Sequence, residues 1–182
     1  MIIAGVDEVG RGCLAGPVTA AAVILKNSIS ELKDSKQISS SKRESLSKII
    51  KEQSIYSFAS ISNHKIDEIN IHQATLLAMQ EAIISLPITP DLVYVDGKFT
   101  PTVEVNCKAV IGGDKLIPEI SAASIIAKVT RDKIITNLGK NFKDYNWDKN
   151  SGYGTREHLK TIKKLGITKH HRKTFSPINK KI

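Results

Sequence analysis

Cys13 and Cys107, the two cysteines in 182 residues, form no CxxC pair and no metal-spaced cluster. That excludes a disulfide-stapled scaffold and predicts two reduced thiols. No long apolar run opens the chain, because Asp7 and Glu8 interrupt it after a few residues. Neither a secretory signal nor a membrane span is expected there, and a cytoplasmic protein is the reading. None of the five histidines belongs to an HExxH pattern, so zinc chemistry on that plan is not expected. Internal repeats, coiled-coil heptads and low-complexity linkers are missing, and a composition 41% hydrophobic and 25% charged argues against disorder. Acid is missing from one region: Lys160 to Ile182 holds eight Lys and Arg residues and no Asp or Glu.

That local surplus dominates a net charge of +9, from 27 basic and 18 acidic residues. A polyanionic partner such as nucleic acid is one reading, and a lysine-rich solvated face is the other. At 20.0 kDa the chain has the size of one domain, so residues 1–182 are expected to form a single unit.

Buried strands are predicted at Ile2–Val6 and Val18–Leu25, across Tyr56, Phe58 and Ile61, at Leu92–Val95 and at Val103–Val110. Helical spacing marks Lys42–Glu52, His64–Asn70, Gln73–Leu86 before Pro87, a segment opened by Pro118 and running to Ile135, and Arg156–Leu165 closed by Gly166. Polar connections are expected at Asn27–Ser41 and between Gly139 and Gly154. The order favours an α/β fold with a central mixed sheet and helices on its faces.

The chemistry is concentrated at Val6-Asp7-Glu8-Val9-Gly10-Arg11-Gly12, where two carboxylates end an apolar run and meet a Gly-Arg-Gly turn. Asp96, after Leu92-Val93-Tyr94-Val95, and Asp114, after Gly112-Gly113, complete a set of four acids. Hard oxygen ligands of this kind can hold two divalent ions that activate water and stabilise an oxygen leaving phosphorus. Each acid also has an ordinary reading: a solvent-facing strand end for Asp7 and Glu8, an Asx-turn for Asp96, a plain turn for Asp114. Consecutive acids in an ideal strand point to opposite faces, and the adjacent glycines could relieve this. Lys36, Lys42, Arg43, Lys128 and Arg131 are candidates for phosphate contact, with surface ion pairs as the alternative and Arg131 beside Asp132 the plainest case. His158, His170 and His171 accompany the basic end, and for His170 and His171 a surface or capping role competes with phosphate contact or proton transfer.

The Asp-Glu-Val-Gly-Arg-Gly segment resembles the signature of the ribonuclease HII family, and the likeness continues in order. It runs through Leu14-Ala15-Gly16-Pro17-Val18, Asp34-Ser35-Lys36, Ser41-Lys42-Arg43-Glu44, Val95-Asp96-Gly97, Gly113-Asp114, Ile120-Ser121-Ala122-Ala123-Ser124 and Ala127-Lys128-Val129-Thr130-Arg131-Asp132. Gly152-Tyr153-Gly154-Thr155 and His170-His171-Arg172-Lys173-Thr174-Phe175 resemble later family motifs. The resemblance implies a ribonuclease H-like fold with a mixed five-stranded sheet and a helical C-terminal region that binds substrate. It implies a ribonuclease H type 2 endoribonuclease, with Asp7, Glu8, Asp96 and Asp114 as catalytic ligands of Mg²⁺ or Mn²⁺. The substrates implied are RNA/DNA hybrids and duplex DNA with embedded ribonucleotides, cut 5′ of the ribonucleotide to leave 3′-hydroxyl and 5′-phosphate ends. Gly10, Arg11 and Gly12 would read the ribose 2′-hydroxyl and its phosphate. Tyr153, otherwise readable as a core or turn aromatic, would pack on the neighbouring sugar, and Lys36, Lys42, Ser121, Lys128 and Arg131 would complete the substrate contacts. A monomer is the simple expectation, association with a replication clamp is possible in such a protein, and Cys13 stands where many relatives carry proline.

Overall fold

The structure is a computed structural model that describes residues 1–32 and 38–180. Strand β2 (Val18–Leu25) shows why the sheet lies at the centre: its sequence has no polar alternation, and all but its last residue are buried. Such a strand needs cover on both faces. It pairs antiparallel with β1 (Ile3–Val9) and β3 (Ser54–Ile61), whereas β1 pairs parallel with β4 (Leu92–Asp96) and β4 parallel with β5 (Asn106–Val110). The order β3-β2-β1-β4-β5 is the mixed five-stranded sheet that the pattern predicts.

Helix α2 (Asn63–Ile84) covers one face, placing Ala74, Ala78, Met79 and Ala82 against Val6, Ala20 and Ala22. Helices α1 (Ser40–Gln53) and α3 (Pro118–Gly139) cover the other, where Leu46, Ile50, Ala122 and Ile126 meet Ala21 and Val23. Local chemistry sets the helix ends. Ser39 and Ser62 accept from the amides of Lys42 and Lys65 as N-caps, and Pro118 opens α3. The two helices expected at 64–70 and 73–86 form one kinked helix. Its break is Asn70, at φ 68°, whose side chain accepts from the Gln73 amide and caps the second part. Helix α3 crosses β1 so closely that a Cβ on Gly5 would lie 2.1 Å from the Glu119 carbonyl carbon. This approach sets the first turn of α3 against the middle of β1.

The differences from expectation are local. Strand β1 runs on to Val9 and β4 to Asp96, so three of the acids lie within strands rather than after them. Strand β5 begins at Asn106 instead of Val103. The connection expected to be polar between Gly139 and Gly154 contains α4 (Trp147–Asn150), with Tyr145 and Trp147 buried. They pack with Leu14, Ala15, Ile135 and, from α5 (Arg156–Leu165), Ile162. This third core ties the C-terminal region to the loop that follows β1. Among the described residues no helix is long and apolar enough to cross a membrane.

Candidate active site

The parallel register sets Val6 of β1 opposite Val95 of β4, which brings the next residue of each strand, Asp7 and Asp96, to the same end of the sheet. Asp7 is buried, and its Oδ1 accepts from the Glu8 amide at 2.8 Å. Burial pushes its carboxyl well above the usual carboxylate range, the charges of Glu8 and Asp96 push the same way, and a hydrogen bond with Ser124 of α3 opposes them. Burial raises Glu8 too, against the pull of Arg11, whose guanidinium lies 3.9 Å away. Asp96 Oδ1 accepts from the Gly113 amide at 2.7 Å, docking against β4 the turn that carries Asp114.

Strand alternation puts Asp7 on the α3 side with Gly5 and gives Glu8 to the opposite face. Glu8 nevertheless lines a cleft of about 290 Å³ together with Asp114, Arg43, Ser121, Ser124 and Lys128. The four predicted acids therefore gather at one sheet end from three separate segments. Among the described residues no three His, Cys, Asp or Glu side chains close into a ready-made metal cage. The donor set still suits a hard divalent cation: partly desolvated carboxylates that repel one another gain most from a positive ion, and oxygen donors favour magnesium or manganese over zinc.

The Gly10-Arg11-Gly12 loop rises beside these acids, with Arg11 exposed. Gly10 has φ +92°, and a Cβ there would fall 2.1 Å from Arg131 Nε. That contact corrects the expectation for Arg131. It is fully buried and donates to the carbonyls of Pro17 at 2.8 Å, Ser151 at 2.8 Å and Ala15 at 3.0 Å. A guanidinium enclosed by main-chain acceptors is a scaffold for the loop and has no face left for phosphate. Asp132 pairs instead with Lys128, at 2.8 Å.

The other predicted contacts are dispersed. Tyr153 is 38% exposed and stands over Gly12, its Cε1 at 4.0 Å from where a Gly12 Cβ would sit. Ser121 is buried on the wall of the cleft, and its Oγ donates to the Leu32 carbonyl at 3.3 Å. Lys42 is exposed on the first turn of α1, and Lys36 lies outside the described residues.

Three features escaped sequence reasoning. Ser124 was legible only as part of a motif. Arg172 is buried and donates to three loop carbonyls. His158 and His171 are not surface groups: both are buried, with their Nε2 atoms 3.1 Å apart. The aromatics Phe142, Tyr145 and Trp147 were the available signal of a buried cluster in that region.

Comparison with known proteins gives a consistent result. The family model described as Ribonuclease HII matches residues 4–178. A ribonuclease HII from Pelagibacter ubique is 60% identical over 181 residues, 98% of this chain and 97% of that protein. Among solved structures, ribonuclease H2 from Pyrococcus horikoshii aligns with a TM-score of 0.83 at 27% identity, covering 99% of this chain and 96% of the other. A ribonuclease HII from Archaeoglobus fulgidus, solved in complex with PCNA, also gives 0.83 at 27% identity, covering 96% and 95%.

Proposed function

The chain belongs to the ribonuclease HII family, and on that premise we propose that it is a metal-dependent endoribonuclease of ribonuclease H type 2. In this reading it hydrolyses the RNA strand of RNA/DNA hybrids and cuts duplex DNA 5′ of an embedded ribonucleotide, leaving 3′-hydroxyl and 5′-phosphate ends. One observation carries the reading: the mutually repelling carboxyls of Asp7, Glu8 and Asp96, joined to Asp114 through the Gly113 amide, border an exposed arginine on a glycine loop.

Asp7, Glu8, Asp96 and Asp114 would hold the metal. Two magnesium or manganese ions bound there supply water activation and charge stabilisation for the oxygen leaving phosphorus. The protein's own groups do the rest. Backbone groups of Gly10 and Gly12 read the ribose 2′-hydroxyl, Arg11 takes the adjoining phosphate, and the Tyr153 ring supports the next sugar. Lys128, held in the cleft by Asp132, and Ser121 face the same strand. Lys42, Lys36 and the basic outer side of α5, with Arg156, Lys160, Lys163 and Lys164, hold the duplex by charge. The whole chain acts as one catalytic unit, as a monomer in the cytoplasm. A sliding clamp is a candidate partner, by analogy with the PCNA complex of the Archaeoglobus fulgidus relative.

The test is cleavage of an end-labelled DNA duplex containing one ribonucleotide, beside an all-DNA duplex, with Mg²⁺, Mn²⁺ or chelator. A single metal-dependent cut 5′ to the ribonucleotide is expected. Tight binding without scission under either metal would reject the enzymatic reading.

A further inference from the structure

Two adjacent residues that the proposed chemistry does not use reach both halves of the ribose-facing site. Arg172, fully buried, donates from Nε to the Gly16 carbonyl at 3.0 Å, from Nη1 to Arg11 at 2.9 Å and from Nη2 to Gly10 at 2.6 Å. His171 accepts at Nδ1 from the Thr168 amide at 2.9 Å. The neutral ring therefore carries its proton on Nε2, which donates to His158 Nε2 at 3.1 Å. His158 Nε2 shares its single lone pair between that proton and the N–H of Trp147 Nε1, at 3.2 Å. Its own proton is thus on Nδ1, which donates to the Tyr153 carbonyl at 2.8 Å. The partners at each ring define one direction of donation from Thr168 through both imidazoles to the main chain of Tyr153.

We infer that His171 and Arg172 are positioning residues that set the spacing between the Gly10-Arg11 backbone and Tyr153, and with it the preference of the site for a ribonucleotide over a deoxyribonucleotide. Consecutive residues of one segment grip the two elements separately, one directly and one through His158. The bridge between Ala15 and His171, and the bond from the Arg172 amide to the Leu14 carbonyl at 2.8 Å, hold that segment to the loop after β1. A shift of either residue alters the gap into which the sugar must fit, and site geometry of this kind is sensitive at the ångström level. The inference rests on the proposed ribose reading.

The test uses His171→Gln, His171→Asn and Arg172→Lys in the full chain. Glutamine places its amide donor near the Nε2 position and keeps the link to His158, whereas asparagine keeps only the Thr168 side. The readout is KM for a duplex containing one ribonucleotide and, in the same assay, Ki for the all-DNA duplex as a competitor. Partial misfolding shrinks the active fraction and lowers kcat but leaves Ki/KM unchanged. H171N and R172K are expected to lower Ki/KM about tenfold through a higher KM, with H171Q near the wild-type ratio. Ratios within about twofold of wild type in either H171N or R172K would overturn the inference. Equal KM and Ki in the wild type would reject the ribose reading itself, and the positioning role with it.

Discussion

Replacing Gly10 with alanine is expected to destabilise the protein by about 2.5–5 kcal/mol, through two separable effects. The residue has φ +92°, a conformation that costs an L side chain about 1–2 kcal/mol. The new Cβ would also fall 2.1 Å from Arg131 Nε, 2.6 Å from Cδ and 2.8 Å from Cζ. Arg131 cannot simply swing aside, because it is buried and bonded to Pro17, Ser151 and Ala15. Losing one hydrogen bond to a charged group costs roughly 1.5–3 kcal/mol. Gly97 supplies the control. Its φ is +96°, and nothing lies within 4 Å of its added Cβ, so Gly97→Ala should cost only the conformational part, about 1–2 kcal/mol. Urea titration of the two variants measures the difference directly. Equal shifts of the two midpoints would refute the claim that Arg131 is a fixed strut beneath the loop.

Asp7→Asn keeps the side chain's shape and removes a charge that burial and two neighbouring acids disfavour. Turnover should fall roughly a hundredfold or more while unfolding free energy at neutral pH holds or rises. Undiminished turnover in metal-replete protein, or a clear loss of stability, would contradict that account of the site. The sign follows from linkage: a carboxyl held above its unfolded value favours folding at low pH, and this contribution is lost as pH rises through the folded value. His171 acts in the opposite direction. Burial, reinforced by His158, lowers it from 6.5 to about 4, so the unfolded chain binds the extra proton between those values. Stability then falls as pH drops through that window, by up to about 3 kcal/mol from this ring. Comparing urea midpoints of wild type and His171→Gln at about pH 7 and about pH 5 isolates the effect from that of Asp7; parallel pH responses would show that the ring does not titrate as described.

Legibility in the sequence followed the range of the interactions involved. Strand β2 and helix α5 have the bounds that pattern assigned, because an unbroken apolar run and a helix closed by Gly166 are local signals. The break at Asn70 was likewise visible as the gap between two helical stretches. Helix α4 was not, since four residues carry too little periodicity, and its burial depends on Leu14 and Ile135. Arg131 looked like a surface cation because its neighbour in sequence is Asp132. Its acceptors in space include the Pro17 and Ala15 carbonyls, 114 and 116 residues away.

The sequence by itself determined the fold class and the family resemblance and singled out four candidate acids, since these rest on residue type and order. Only the tertiary structure decided that Asp7 and Asp96 share one sheet end, through the parallel register of β1 and β4. It also decided that Arg172 holds the glycine loop from 161 and 162 residues away, at Arg11 and Gly10. It decided, too, that His158 and His171 are buried partners rather than surface groups. A side chain's charge and size are written in the chain, but its burial and its hydrogen-bond partners belong to whichever segments the fold packs around it.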